Sequence, residues 1–134
     1  MNNFPPQRIV CLTEETVELL YLLGEEDRIV GVTGYAVRPK IVRKQKPRIS
    51  SFKSANIQKI IELKPDIVLA FSDIQSEIVA SLVKKGQSVL CFNQRDIEGI
   101  FNMIQTISSL LDIKQKGINL ISRLRSNIHR IKNK

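Results

Sequence analysis

Short apolar runs alternate with amphipathic stretches along this chain, and the alternation is regular from Arg8 to Phe92. Arg8 to Leu12 is a compact apolar run, with Pro5 and Pro6 before it and Thr13 after it, and reads as a strand buried on both faces. Thr13 can cap a helix through its hydroxyl. Glu14 and Glu15 suit the positive N-terminal end of that helix, and Val17, Leu20 and Leu23 form a stripe that Gly24 closes. Arg28 to Val32 then reads as a second strand, which completes a β-α-β unit.

Periodicity is lost from Thr33 to Lys53. Gly34, Pro39, Pro47 and a run of basic residues predict a long surface loop there, a common carrier of function. Asn56 caps a short helix with Ile57, Ile60, Ile61 and Leu63 at helical spacing, ended by Pro65, and Asp66 to Phe71 is a third strand. Gln75 to Lys85 is a helix with Ile78, Val79 and Leu82 inward and Gly86 as its stop, followed by a fourth strand from Ser88 to Phe92. Repeated β-α-β units with short turns require parallel strands with helices on the sheet's faces. The expected fold class is α/β: a three-layer open sandwich around a mainly parallel four- or five-stranded sheet, with a long C-terminal helix.

Asp96 suits the N-cap of a further helix, with Ile100, Met103, Ile104, Ile107 and Leu110 or Leu111 on its buried side. After Asp112, Ile118, Ile121, Leu124, Ile128 and Ile131 make a narrow stripe on a basic helix of roughly 30 Å at about 1.5 Å per residue. Such a stripe either packs back on its own domain or meets a partner. The expected organisation is an α/β domain over 1–112 and a long basic helix over 113–134.

The 134 residues are 43% hydrophobic and 25% charged, the size and composition of one folded domain. No stretch approaches the roughly 20 apolar residues of a membrane span. With Met1 as the native start the chain has no secretory leader and is expected in the cytoplasm; with a leader removed ahead of it, the periplasm is expected.

A net charge of +8 raises nucleic acid as a partner. The charge lies in two clusters, one from Arg38 to Arg48 and one from Lys114 to Lys134, and neither interleaves aromatic residues for base stacking. Nucleic acid is therefore a minor reading, which a salt series tests. Cys11 and Cys91 lie in separate apolar runs without zinc or redox spacing and read as buried, inert thiols, with the single histidine, His129, far along the chain.

In an open parallel sheet, ligands sit outside the carboxyl ends of the strands. The loops after Leu12, Val32, Phe71 and Phe92 offer Thr13, Tyr35, Ser51, Phe52, Ser72, Asp73, Asn93, Gln94, Arg95 and Asp96. They contain no histidine, no paired carboxylates and no Gly-rich phosphate cradle, so an enzyme and a metal site are both disfavoured. Only 5% of residues are aromatic, yet Tyr35, Phe52 and Phe71 fall on these connections. Aromatic faces at the mouth of a cleft suit a large planar, partly apolar ligand, and Phe52 and Phe71 suit sealing the core equally well.

The order of segments, RIVCLTEETVELLYLLGEEDRIVGVTGYAVRP, KPRISSF, NIQKIIELKPDIVLAFSD, GQSVLCFN and a long last helix, resembles the N-terminal lobe of the class III periplasmic substrate-binding proteins, the cobalamin and iron-siderophore binders of ABC importers. The LKPDIVLA run is the most specific stretch. The resemblance implies two α/β lobes joined by a rigid helix, with a corrinoid, haem or siderophore held between them and no bond chemistry. It also implies a ligand site at Tyr35, Phe52 and Phe71, with no cofactor required and cobalamin or another corrinoid or iron chelate as ligand. The helix over 113–134 would then bridge to a second lobe or pair with a second copy. Gln58 stands where the family places a glutamate that docks on importer arginines, which puts docking in doubt, and Glu14 replaces a proline expected after the first strand. The alternative reading is an interaction module that homodimerises through its last helix and whose ligand site is vestigial.

Overall fold

The computed structural model describes residues 3–33, 41–50 and 56–132. Five strands form one sheet: β1 (Ile9–Cys11), β2 (Ile29–Thr33), β3 (Arg48–Ser50), β4 (Ile67–Phe71) and β5 (Val89–Phe92). Their spatial order is β3-β2-β1-β4-β5, and each adjacent pair is parallel. Ile9, Val10, Cys11 and Val68 are fully buried and Leu69 nearly so, as two-sided burial of the central strands requires.

The connections are helical. α1 (Glu14–Leu22) follows β1, α2 (Val42–Gln45) and β3 follow β2, α3 (Ile57–Glu62) leads into β4, and α4 (Ser76–Lys84) joins β4 to β5. The start signals act through side chains: Thr13 accepts the Thr16 N–H, and Asn56 accepts the Lys59 N–H. Gly24 and Gly86, with φ of 71° and 83°, end α1 and α4 in the left-handed conformation that glycine adopts without a Cβ penalty.

α3 and α4 cover one face of the sheet, where Ile60, Ile78 and Leu82 pack with Val10, Leu12, Val68 and Ala70. The strand period of two turns Cys11 to the other face, where Thr16 of α1 lies close enough to the thiol to lower its pKa. Helices on both faces follow from right-handed crossovers, because β1 to β2 and β4 to β5 move in opposite directions across the sheet.

At the amino ends of the strands, the buried Asp66 carboxylate accepts the backbone N–H groups of Gln7 and Arg8 at 2.9 and 3.0 Å and the Asn3 side-chain amide at 3.1 Å. This fastens the entry segment to the start of β4.

The stretch expected as one loop from Thr33 to Lys53 holds α2 and β3 among its described residues. β3 has little apolar signal of its own; its pairing with Val32 and Thr33 of β2 makes it a strand. Cys91, expected to be buried, is exposed, because β5 has only β4 beside it in the sheet.

The chain divides into two compact units, 1–93 and 94–134. The second contains α5 (Ile97–Leu110) and α6 (Lys114–Lys132). Asp96 caps α5 by accepting the Gly99 N–H at 2.7 Å. Phe101, Met103, Ile104 and Ile107 are buried on α5, with Leu111 buried at its C-cap, whereas Ile100, expected inward, is 41% exposed and Phe101 takes the inward position beside it. On α6 the fully inward positions are Gly117 and Leu120. Ile121, Leu124 and Ile128 are half-buried, and Ile118 and Ile131 are exposed, so the anticipated stripe is only partly covered. Gly117 allows the close approach of α6 to α5, since a Cβ there would collide with the Ser108 side chain.

Candidate functional site: the crevice at the carboxyl ends of the strands

The chain runs outward from β1 through β2 to β3 on one side, then returns to β4 and runs through β5 on the other. The direction of winding therefore reverses between β1 and β4. In open α/β sheets such a reversal leaves a crevice outside the carboxyl ends, because the two connections leave toward opposite faces.

Leu12 and Thr13 follow β1 at this point, and both are buried. The Thr13 hydroxyl lies 2.9 Å from that of Thr16 and accepts the Thr16 N–H, so it is committed to starting α1. Phe71 ends β4 and is half-buried at the rim. Ser72 follows with φ 60° and ψ 172°, a region that side chains rarely adopt and that costs about 1–3 kcal/mol. Local bonds hold it there: the Ser72 N–H donates to Phe92 O at 2.6 Å, and its Oγ accepts the Ile74 N–H at 3.2 Å.

Gln75, fully buried, lies directly beneath. Its Oε1 accepts the Phe71 N–H at 2.9 Å and its Nε2 donates to Leu12 O at 3.0 Å. Sequence reasoning treated Gln75 as the first residue of a helix and missed this role. No local pattern marks the role, since the partner that makes it a bridge, Leu12, is 63 residues away.

A neighbouring groove of about 520 Å³ runs between α4 and β5, with Val79, Ala80 and Val83 along it and Ser72, Asp73 and Asn93 at its mouth. Cys91 lines it from the strand side. Partial desolvation raises the Cys91 thiol pKa from its ordinary value, and full burial raises that of Cys11 much further, to about 12, against the lowering effects of Thr16 and Lys46. Neither is poised as a thiolate nucleophile. Among the described residues no group of three or more His, Cys, Asp or Glu could hold a metal ion.

Of the three aromatic residues expected at the site, Phe71 stands at the rim, and Tyr35 and Phe52 lie outside the described residues. Gln58 is exposed on α3 and donates to Glu62 Oε1 at 3.5 Å. Gln94, Arg95 and Asp96 belong to the second compact unit.

The first compact unit is thus an open α/β lobe with its crevice at a strand-order reversal. The chain belongs to the periplasmic binding protein family, whose sequence profile matches residues 9–134. It is 30% identical over 133 residues to an uncharacterized ABC transporter substrate-binding lipoprotein of Bacillus subtilis, a match spanning 96% of this chain and 42% of that protein. It is 25% identical over 131 residues to a vitamin B12-binding protein of Vibrio vulnificus, spanning 97% of this chain and 48% of that one. Among solved structures, a periplasmic heme binding protein of Pseudomonas aeruginosa superposes with a TM-score of 0.88 at 21% identity, over 96% of this chain and 46% of that one, a likeness of fold. The chain spans about half the length of the relatives it matches.

Proposed function

We propose that this chain is one lobe of a substrate-binding protein, and that it binds a corrinoid or other large metal-chelate ligand without transforming it. The observation that carries the reading is the crevice between β1 and β4 with Phe71 at its rim, in a chain whose relatives include a vitamin B12-binding protein. Tyr35, Phe52 and Phe71 are the residues assigned to the ligand, as aromatic faces that bury a large planar molecule at low entropic cost. No cofactor is required.

Affinity for such ligands comes from burying most of their surface, so one lobe presents half a cleft and binds weakly. The lobe is assigned to 1–112, and the helix over 113–134 to the bridge toward a second lobe. Titrating cyanocobalamin and haemin against this chain, and against a version carrying a second lobe, tests the reading. Binding that tightens with the second lobe and weakens in Phe71→Ala supports it; no binding by either form overturns it.

The neutral Gln58 lacks the charge that would attract importer arginines, so docking on a permease through this position is not expected. A pull-down that recovers a permease with Gln58 at the contact would reverse that. The lipoprotein among the relatives supports a periplasmic or membrane-anchored setting over the cytoplasmic one, and no helix among the described residues is long and apolar enough to cross a membrane.

A second reading draws on the exposure of Ile118 and Ile131 on α6, at 49% and 72%. Here α6 mediates homodimerisation or partner docking and the ligand site is vestigial. Light scattering across a concentration series separates the two, since this reading requires a mass that rises with concentration.

A further inference from the structure

In regular parallel pairing, a residue donates its N–H to one neighbour on the adjacent strand and accepts, at its C=O, from the residue two further on. Leu12 follows the first half. Its N–H donates to Leu69 O at 2.9 Å, continuing the register in which Cys11 faces Leu69. The second half of that pattern would bring the Phe71 N–H onto Leu12 O. Instead the Gln75 carboxamide stands between them, accepting from Phe71 at 2.9 Å and donating to Leu12 at 3.0 Å.

The side chain thus acts as an inserted peptide unit, and the chain parts from β4 at Leu12, just past β1, while β4 runs on to Phe71. On its other side β4 stays joined to β5, through the Ser72 N–H to Phe92 O bond at 2.6 Å. The separation is therefore confined to one pair of strands, and that pair is the one where strand order reverses. Burying a carboxamide costs free energy unless both its ends are bonded, and here both are. An apolar side chain can bond neither group, so it would leave the gap and let the Phe71 N–H and Leu12 C=O meet directly.

We infer that Gln75 is a positioning residue that wedges the sheet open at the crevice, setting the height and angle at which Phe71 meets a ligand. The inference rests on the ligand site proposed above. It is tested on the full chain by NMR coupling across the hydrogen bond of the Phe71 amide, together with cyanocobalamin titration of the wild type and Gln75→Met.

In the wild type the Phe71 amide should couple to the side-chain carbonyl carbon of Gln75. In Gln75→Met it should couple to the Leu12 carbonyl carbon as the ladder closes by one step, and affinity should fall about tenfold or more. A purely structural role would lower the urea midpoint and leave the affinity of the folded protein unchanged. Coupling of Phe71 to Leu12 in the wild type overturns the inference, as does wild-type affinity in a folded Gln75→Met. The wild-type coupling needs no variant, so it decides the wedge even where Gln75→Met does not fold. If the wild type binds neither cyanocobalamin nor haemin, the ligand reading fails, and the coupling measurement still judges the wedge on its own.

Discussion

Replacing Asp66 by alanine should loosen the entry segment from the sheet, and the structure sets the size of the effect. The lost carboxylate leaves the Gln7 and Arg8 backbone N–H groups without their acceptor at 2.9 and 3.0 Å. A buried donor left unsatisfied costs about 1–3 kcal/mol, and both residues lie at the surface where water can replace some of the loss. The expected destabilisation is therefore about 2–3 kcal/mol in total, at the lower end of that range for each. Asp66→Asn keeps one acceptor oxygen and loses the charge, and should cost about 1 kcal/mol.

The same site predicts a pH dependence. Burial alone would raise the Asp66 pKa, but the N–H groups of Gln7 and Arg8 and the Asn3 amide outweigh it, so the folded carboxyl lies below its ordinary value of 3.8. A depressed folded pKa stabilises fully above the unfolded value and loses that contribution as pH falls through the folded one. The gap between wild type and Asp66→Asn should hold at neutral pH and close as pH drops below 3.8.

Urea unfolding followed by tyrosine fluorescence reports on this unit, because the two tyrosines, Tyr21 and Tyr35, both precede Asn93. An Asp66→Ala midpoint equal to that of the wild type would refute the reasoning. So would an Asp66→Asn gap that persists unchanged at pH values well below 3.8.

Leu69→Ala should destabilise the first unit by about 2–5 kcal/mol, since Leu69 is 1% exposed in a central strand; urea unfolding measures it. Gly117→Ala should cost about 1–3 kcal/mol by overpacking against Ser108, and Ser108→Gly in the same chain should recover some of that loss in thermal melts. A thiol reagent should modify Cys91 in the folded protein and reach Cys11 only in urea, because Cys11 is fully buried with its pKa raised to about 12; mass spectrometry reads the order.

Much of the fold was legible because its signals are local. Thr13, Asn56 and Asp96 cap helices through bonds to residues three positions on, and Gly24 and Gly86 stop helices by their own backbone freedom. The apolar runs at Ile9 and Ile67 announce buried strands whatever lies beside them.

Features that depend on a distant neighbour were not legible. β3 is a strand because β2 offers it hydrogen bonds. Phe101 rather than Ile100 turns inward through the phase of α5, and a periodic pattern fixes that phase only to within about one residue in 3.6. Of the candidate site, the aromatic at Phe71 could be picked out from its place at the end of an apolar run. The glutamine beneath it could not.

Chain order and residue type therefore settle which segments become helices and strands, since capping, periodicity and turn chemistry act over three or four residues. The order of strands, the reversal between β1 and β4, the exposure of Cys91 at an edge and the insertion of Gln75 between Leu12 and Phe71 arise only when segments meet in space. Hydrogen bonds across 63 residues leave no trace in local pattern, because either partner would look the same in the sequence without the other.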